Sequence, residues 1–385
     1  MRMLMISTDK KILEEGSVAQ TRHFEYEKIC DELHILVLHA PNHSQKGNYK
    51  NGNTRIYAAS GDNKAARLWN GYKMAKSIME NGKIDLVTTQ DMGFAGLIGF
   101  FLKRKYEMKL NIQVHGMEEK LINKILLFPF YKQIMKNADS IRVVSERLKK
   151  WVVNKYGVDE SKIFKIPIWA GLEVRVKNQE LIHYENKELG NFFTILTVGR
   201  LVKVKNIKLQ IEALADIIKI FPNARLIIAG DGPEKINLQN IAKEYKVDDK
   251  VEFRGWVDNW HKIIRYKANA IEKSAIPLKD SEQINADLFV LSSNSEGWGL
   301  AVIEAMASGF PVIMTDVGCA GEVVKNGENG LVIPIGDKKS LVASICDMIA
   351  DAGKRKQFSK NGKITADNLP DKNAIFEMYK KMWRK

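Results

Sequence analysis

Two glutamates, Glu296 and Glu304, bracket the glycine-rich segment Gly297-Trp298-Gly299-Leu300 in a chain of 385 residues. An ionised carboxylate only accepts hydrogen bonds, which suits it to the hydroxyl groups of a ligand. Residues 286–293 read as a buried parallel strand ending in small polar residues, and residues 300–308 read as a helix closed by Gly309 and Pro311. The glycines therefore fall in a strand-to-helix turn. Such a turn aims free backbone N–H groups and the positive end of a helix dipole at one point. Without Cβ atoms at Gly297 and Gly299, a diphosphate can come close to the backbone. Glu296 lies in the turn, and Glu304 lies roughly one turn into the helix at about 1.5 Å of rise per residue. The two carboxylates have separate tasks.

The elements that must position this turn follow a repeating order. Residues 1–8, 33–39, 54–58, 84–88, 110–114 and 140–144 read as strands with helical stretches between several of them. A second alternating set begins at residues 192–199 and continues through a helix over 206–221, a strand over 224–229 and a turn at 230–233. It goes on through a helix to 245, a strand over 250–253, the strand before Glu296, its helix and a strand over 311–315. This is α/β grammar: two doubly wound, Rossmann-like domains, 1–185 and 186–370, with the pattern loosening into a linker over 171–191. In open parallel sheets ligands bind beyond the carboxyl ends of the strands, so an interdomain cleft is the expected site.

Composition narrows the class further. An apolar fraction of 45% and a charged fraction of 28% belong to a folded globular protein. The apolar start runs into Asp9-Lys10-Lys11 too soon for a signal peptide. No apolar run approaches the roughly 20 residues of a spanning helix. Cys30, Cys319 and Cys346 form no metal-type or redox-type spacing, so a reducing, cytoplasmic setting is expected. His34, His39 and His43 cluster in sequence, but the first two flank a strand and do not suggest a metal site. The net charge is +14, and residues 103–155 hold thirteen Lys or Arg against five Asp or Glu, interleaved with the apolar run 125–131. That mixture suits an anionic membrane surface, or equally a set of solvated helix faces. Nucleic acid is not indicated, since no basic repeat or zinc ligand set accompanies the charge. The turn after the first strand, residues 9–16, lacks Gly-x-Gly-x-x-Gly, and no Gly-x4-Gly-Lys-Ser/Thr loop occurs, which excludes those dinucleotide and triphosphate sites.

Taken whole, Glu-Gly-Trp-Gly-Leu-x3-Glu-Ala-Met-Ala-x-Gly-x-Pro-Val from Glu296 to Val312 resembles the retaining glycosyltransferases of family 4. The resemblance covers most of the second domain and is looser in the first. It implies a GT-B fold of two facing Rossmann-like domains, a nucleoside diphosphate sugar as donor and a glycan or lipid-linked glycan as acceptor. It also implies that the final helix, residues 371–385, crosses back to the first domain, with Tyr379 and Trp383 as anchors. Thr197-Val198-Gly199-Arg200-Leu201, followed by Lys203, Lys205 and Asn206, resembles the family's phosphate clamp and assigns that task to Arg200 and Lys205. By the same resemblance Glu304 binds the ribose hydroxyls, Gly297, Trp298, Gly299 and Leu300 meet the donor diphosphate, and Glu296 touches the donor sugar. His115 stands beside that sugar, Arg254 in Phe253-Arg254-Gly255 lies near the nucleobase, and Gly16 marks a loop that touches phosphate or acceptor.

Two cations from one loop suit a leaving diphosphate, because they stabilise the charge that builds as the glycosidic bond breaks. No Asp-x-Asp occurs, so neither a metal nor a cofactor is expected, and front-face displacement is the favoured route to retention. The alternatives are a GT-B phosphorylase or epimerase and a non-catalytic carbohydrate-binding protein of the same fold. The chain departs from the family at Ile166-Pro167-Ile168-Trp169-Ala170-Gly171-Leu172, where relatives often read Ile-Pro-Asn-Gly and an acidic residue. It departs again between Val257 and Ala286, where residues 260–281 read as an added helix and loop at the nucleobase end.

Overall fold

The computed structural model describes residues 1–39, 48–117, 128–169, 192–257, 260, 264–266 and 284–384. The linker expected at 171–191, the boundary at 185/186, His43, residues 125–127 and most of the segment 260–281 lie outside them. The chain divides into two units, Met1–Pro167 with Asp371–Lys385, and Ile168–Pro370.

In the first unit the strands are β1 (Arg2–Ser7), β2 (Glu32–His39), β3 (Asn48–Asn51), β4 (Thr54–Ser60), β5 (Leu86–Thr89), β6 (Lys109–Val114), β7 (Ser140–Val143) and β8 (Ile163–Lys165). They form one sheet in the order β3-β4-β2-β1-β5-β6-β7-β8. Every pair is parallel except β3 with β4. Met3 to Ile6 and Ile35 to Val37 have no exposed surface, as central parallel strands covered on both faces require. The helices are α1 (Val18–Phe24), α2 (Lys64–Glu80), α3 (Phe94–Lys105), α4 (Phe128–Asn137) and α5 (Glu146–Tyr156). Asn63 caps α2 by accepting from the Ala66 N–H, and Ser145 caps α5 by accepting from Leu148.

The helix Lys372–Arg384 completes this unit. Its Tyr379 and Trp383 are both buried, and their rings stand 5.4 and 5.8 Å from that of Tyr26. Beneath them Arg142, 4% exposed, lies 5.1 Å from the centre of the Tyr379 ring. Its guanidinium donates to Gln113 Oε1 at 3.0 Å and to the carbonyls of Ile166 and Pro167 at 2.9 and 3.2 Å. A buried cation is tolerated here because its N–H groups find oxygens and its face finds a ring.

The second unit has a six-stranded parallel sheet and a separate two-stranded pair. Its strands are β9 (Phe193–Val198), β10 (Ala224–Ala229), β11 (Val251–Gly255), β12 (Ile264–Tyr266), β13 (Ile284–Ala286), β14 (Leu288–Leu291), β15 (Val312–Thr315) and β16 (Leu331–Ile333). The main order is β11-β10-β9-β14-β15-β16, and β12 pairs with β13. The single strand expected over 286–293 is thus two. The reason is Asp287, whose side chain accepts from the Thr194 N–H at 2.7 Å while its own N–H donates to the Thr194 carbonyl at 2.8 Å. Helices α6 (Ile207–Ile217), α7 (Lys235–Glu244), α8 (Leu300–Ala307), α9 (Lys338–Ala350) and α10 (Ala352–Asp367) follow. Ile207, Ile211, Leu214 and Ile217 of α6 share a core with Leu341, Ile345 and Met348 of α9, the apolar stripe of an amphipathic helix. Among the described residues no helix is long and apolar enough to cross a membrane.

Trp383→Ala is expected to destabilise the protein by about 3–5 kcal/mol in chemical denaturation, as removal of a fully packed aromatic does. Trp69→Ala, at a residue 58% exposed, is the control and should change stability by less than about 0.5 kcal/mol.

Candidate active site

In the second unit, two loops at the carboxyl ends of adjacent strands are laced together. After β9, Leu201 is buried, and its N–H donates to the Asp231 carbonyl at 2.8 Å. The chain then turns through Lys203–Lys205 and closes at Asn206 in the left-handed region, φ 47°. After β14, Ser292 and Ser293 are buried. Asn294 N–H donates to the Val204 carbonyl at 2.8 Å, and Asn206 Nδ2 donates to Asn294 Oδ1 at 3.1 Å. Ser292 Oγ donates to the Asn206 carbonyl at 3.0 Å and accepts from Gln210 Nε2 at 2.8 Å.

The lacing brings the two expected site residues into contact. Lys205 Nζ lies 2.5 Å from Glu296 Oε1, which also accepts from Ser293 Oγ at 2.7 Å. The two charged side chains are 21% and 13% exposed. Arg200, in the same loop as Lys205, is exposed, and its side chain makes no hydrogen bond or ion pair with the described residues.

The turn between Glu296 and α8 is held from beneath. Cys319 N–H donates to the Trp298 carbonyl at 2.9 Å. A Cβ placed on Gly318, at φ +55°, would stand 2.6 Å from the Trp298 carbonyl oxygen and 3.0 Å from Glu296 Cβ. Gly299 at φ +91° redirects the chain into Leu300, and no side chain caps α8. Val302 N–H donates to the Gly299 carbonyl at 3.1 Å, and the N–H groups of Leu300 and Ala301 have no acceptor among the described residues, as at an open helix start. Trp298 is 3% exposed and packs inward, so its backbone and not its ring faces the turn's open side.

Glu304 is half-buried, and its Oε2 accepts from Trp260 Nε1 at 2.8 Å. The Trp260 ring lies on Phe289 of β14, with centroids 5.7 Å apart and planes 18° from parallel. Two residues therefore join the site that sequence reasoning had not placed there. Ser293 was signalled only by the small polar residues at the strand end, and Trp260 only by its position at the start of the added segment.

The remaining expected residues stand apart from this cluster. Arg254 is exposed and ion-paired with Glu252 of its own strand, with β10 and β9 between β11 and β14. The structure does not gather it with Glu304. In the first unit, the Gly16 N–H donates to Gln20 Oε1 at 3.0 Å. His115 follows β6 with Nε2 3.2 Å from Gln90 Oε1. Desolvation, and after it the charges of Arg142, His23 and Arg22, lower its pKa to about 3. The ring is a neutral hydrogen-bonding group at physiological pH.

Residues 30–169 match the family described as Glycosyltransferase Family 4, and residues 178–365 match glycosyl transferases group 1. An uncharacterized glycosyltransferase of Methanocaldococcus jannaschii is 30% identical over 298 residues, covering 77% of this chain and 74% of that protein. The capsular polysaccharide biosynthesis glycosyltransferase CapM of Staphylococcus aureus is 26% identical over 298 residues, 75% of this chain and 74% of that one. Among solved structures, HepE of Anabaena in complex with UDP is 16% identical, with a TM-score of 0.73 and 100% of both chains covered. Two Rossmann-like units with parallel sheets and this likeness define a transferase of GT-B fold. The chain belongs to the family 4 glycosyltransferases, as the motif around Glu296 had implied.

Gly318→Ala tests the support beneath the turn. The added methyl meets backbone and demands a left-handed conformation, so a loss of more than about 1 kcal/mol is expected in denaturation. Gly336→Ala is the comparison: it shares a positive φ of +74° but meets nothing within 4 Å, so it isolates the conformational part of that loss.

Proposed function

We propose that this enzyme transfers a sugar from a nucleoside diphosphate sugar to a glycan or lipid-linked glycan, with retention of configuration and with its own cations serving the diphosphate. The observation that carries this reading is the convergence of Lys205, Glu296 and Ser293, with the exposed Arg200 in the same loop as Lys205 and α8 starting without a side-chain cap. An ammonium has three donors, so Lys205 can keep Glu296 and still reach a phosphate oxygen. Arg200 and the α8 N-terminus supply the rest of the positive field where charge develops on the leaving group.

In the front-face step the bond from the anomeric carbon to the phosphate oxygen breaks as the bond to the acceptor oxygen forms on the same face. The acceptor's proton passes to the departing phosphate. Glu296, fixed by Lys205 and Ser293, holds hydroxyls of the transferred sugar, and Glu304 holds the ribose. HepE in complex with UDP and the capsular polysaccharide role of CapM support a nucleotide donor and a glycan acceptor. The excess of cations in residues 103–155 supports docking at an anionic membrane surface on the cytoplasmic side, where lipid-linked acceptors reside.

A thermal-shift screen of UDP-, GDP-, ADP- and dTDP-sugars, followed by nucleotide release against an acceptor panel, tests this directly. Stabilisation by at least one donor and acceptor-dependent release are expected. Stabilisation with no turnover on any acceptor would favour a binding protein instead. Within the site, Glu304→Ala should weaken nucleoside diphosphate binding by at least about tenfold in calorimetry, the scale of a hydrogen bond to a charged group. Glu296→Ala should lower kcat more than nucleotide affinity, and the reverse pattern would exchange the two assignments.

A further inference from the structure

We infer that the outer face of α2 and α3 around Trp69, Tyr72 and Phe101 is where the enzyme meets an anionic lipid bilayer; this rests on the membrane docking proposed above and gives it a place. The cation excess over residues 103–155 does not form one surface. Arg142 is buried, Lys103 Nζ donates to Asp139 Oδ1 at 2.6 Å, and Lys149 lies 3.0 Å from Glu160. Arg104 and Lys105, at the end of α3, are exposed and stand against aromatic rings instead. Arg104 lies 5.8 Å from the centre of the Phe100 ring, and Lys105 Nζ lies 5.3 Å from that of Tyr106.

The rings continue onto α2. Phe101, 43% exposed, meets Tyr72 edge-on at 6.4 Å, and Tyr72 stacks on Trp69 at 6.3 Å with planes 26° apart. Trp69 is 58% exposed, with Lys73 Nζ 5.2 Å from its ring centre. Together the two helices carry seven Lys or Arg and one carboxylate, Glu80, which Lys76 and Lys105 approach to 3.5 and 3.8 Å. A row of exposed aromatics among cations suits the headgroup layer of a bilayer: the rings settle at headgroup level, and ammonium and guanidinium groups find phosphate. A glycan is the other occupant for exposed aromatics, but its neutral hydroxyls leave these charges unmatched. Position along the sheet agrees. Trp69 lies in the second turn of α2, which starts at the carboxyl end of β4, and the parallel strand β6 brings His115 to that same end. A bilayer met there presents its lipid-linked sugars at the end of the sheet that carries His115.

The test is sedimentation of the full chain with vesicles of phosphatidylcholine alone and of equal parts phosphatidylcholine and phosphatidylglycerol. The wild type should bind only the mixed vesicles, and less tightly as salt rises. Trp69→Ala, expected above to leave stability nearly unchanged, should weaken that binding about fivefold or more, and Trp69→Ala with Phe101→Ala about tenfold or more. Lys73→Gln with Arg104→Gln should weaken it about tenfold or more, the scale of two cations near an anionic surface. Undiminished vesicle binding by both double variants overturns the inference and leaves the membrane reading standing. Absence of wild-type binding to the mixed vesicles overturns both. A second measurement locates the contact. Mixed vesicles should move the tryptophan emission of the wild type to shorter wavelength, and Trp69→Phe, which keeps an aromatic ring at that position, should bind and yet lack the shift. A shift undiminished in Trp69→Phe overturns the inference, as does wild-type emission that responds to soluble oligosaccharides and not to the mixed vesicles, the mark of a glycan platform.

Discussion

The contact between Lys205 Nζ and Glu296 Oε1, 2.5 Å across two loops, is the constraint that the second unit is arranged to satisfy. Both side chains are largely shielded from water, so each would be costly to leave alone. The pair forms when the loop after β9 and the loop after β14 are held side by side. The bonds between Asn294 and Val204, Asn206 and Asn294, and Ser292 and Asn206 do this. Gln210, on the first buried turn of α6, reaches under both loops to Ser292 and to Thr197 of β9. Gly318 leaves room beneath the turn for Glu296 to point at Lys205 instead of away from it.

The first unit handles a buried cation by different means. Among the described residues Arg142 has no carboxylate partner; neutral oxygens of Gln113, Ile166 and Pro167 and the Tyr379 ring face serve instead. Its charge is therefore not cancelled locally and acts on its neighbours. His115 is one of them, and Arg142 is the largest of the charges that lower its pKa. One residue thus secures the helix Lys372–Arg384 and adds to the desolvation that lowers the pKa of the imidazole after β6.

Central parallel strands such as β1 and β2 were legible because strands covered on both faces read as short apolar runs, here Met3–Ile6 and Ile35–Leu38. The site around Glu296 was legible because its residues are close in sequence or sit at strand ends that the alternation fixes. What escaped was either long-range or disguised. Trp260 reaches Glu304 across 44 positions from a segment without period, and a tryptophan there carries no local sign of its partner. Arg142 was one of thirteen cations read as membrane-facing or solvated, and only packing shows that this one is interior. The α10 helix, Ala352–Asp367, carries so few apolar residues that its stripe was not singled out, although Phe358 is fully buried. Arg254 and Gly16 resemble family positions in residue type; in the structure Arg254 pairs with Glu252 and the Gly16 N–H donates to Gln20.

The helix Lys372–Arg384 belongs to the first unit although the whole second unit precedes it along the chain. During synthesis, the ribosome delivers eight strands of the first sheet and then some two hundred further residues before Tyr379 and Trp383 exist to cover Arg142. The second unit has all its strands and helices by Asp367 and can fold first. The domain that begins the sequence is therefore the last to be finished. Until then its Arg142 lacks the ring that covers it, and Tyr26 presents an uncovered aromatic face to the solvent in which chaperones and proteases work.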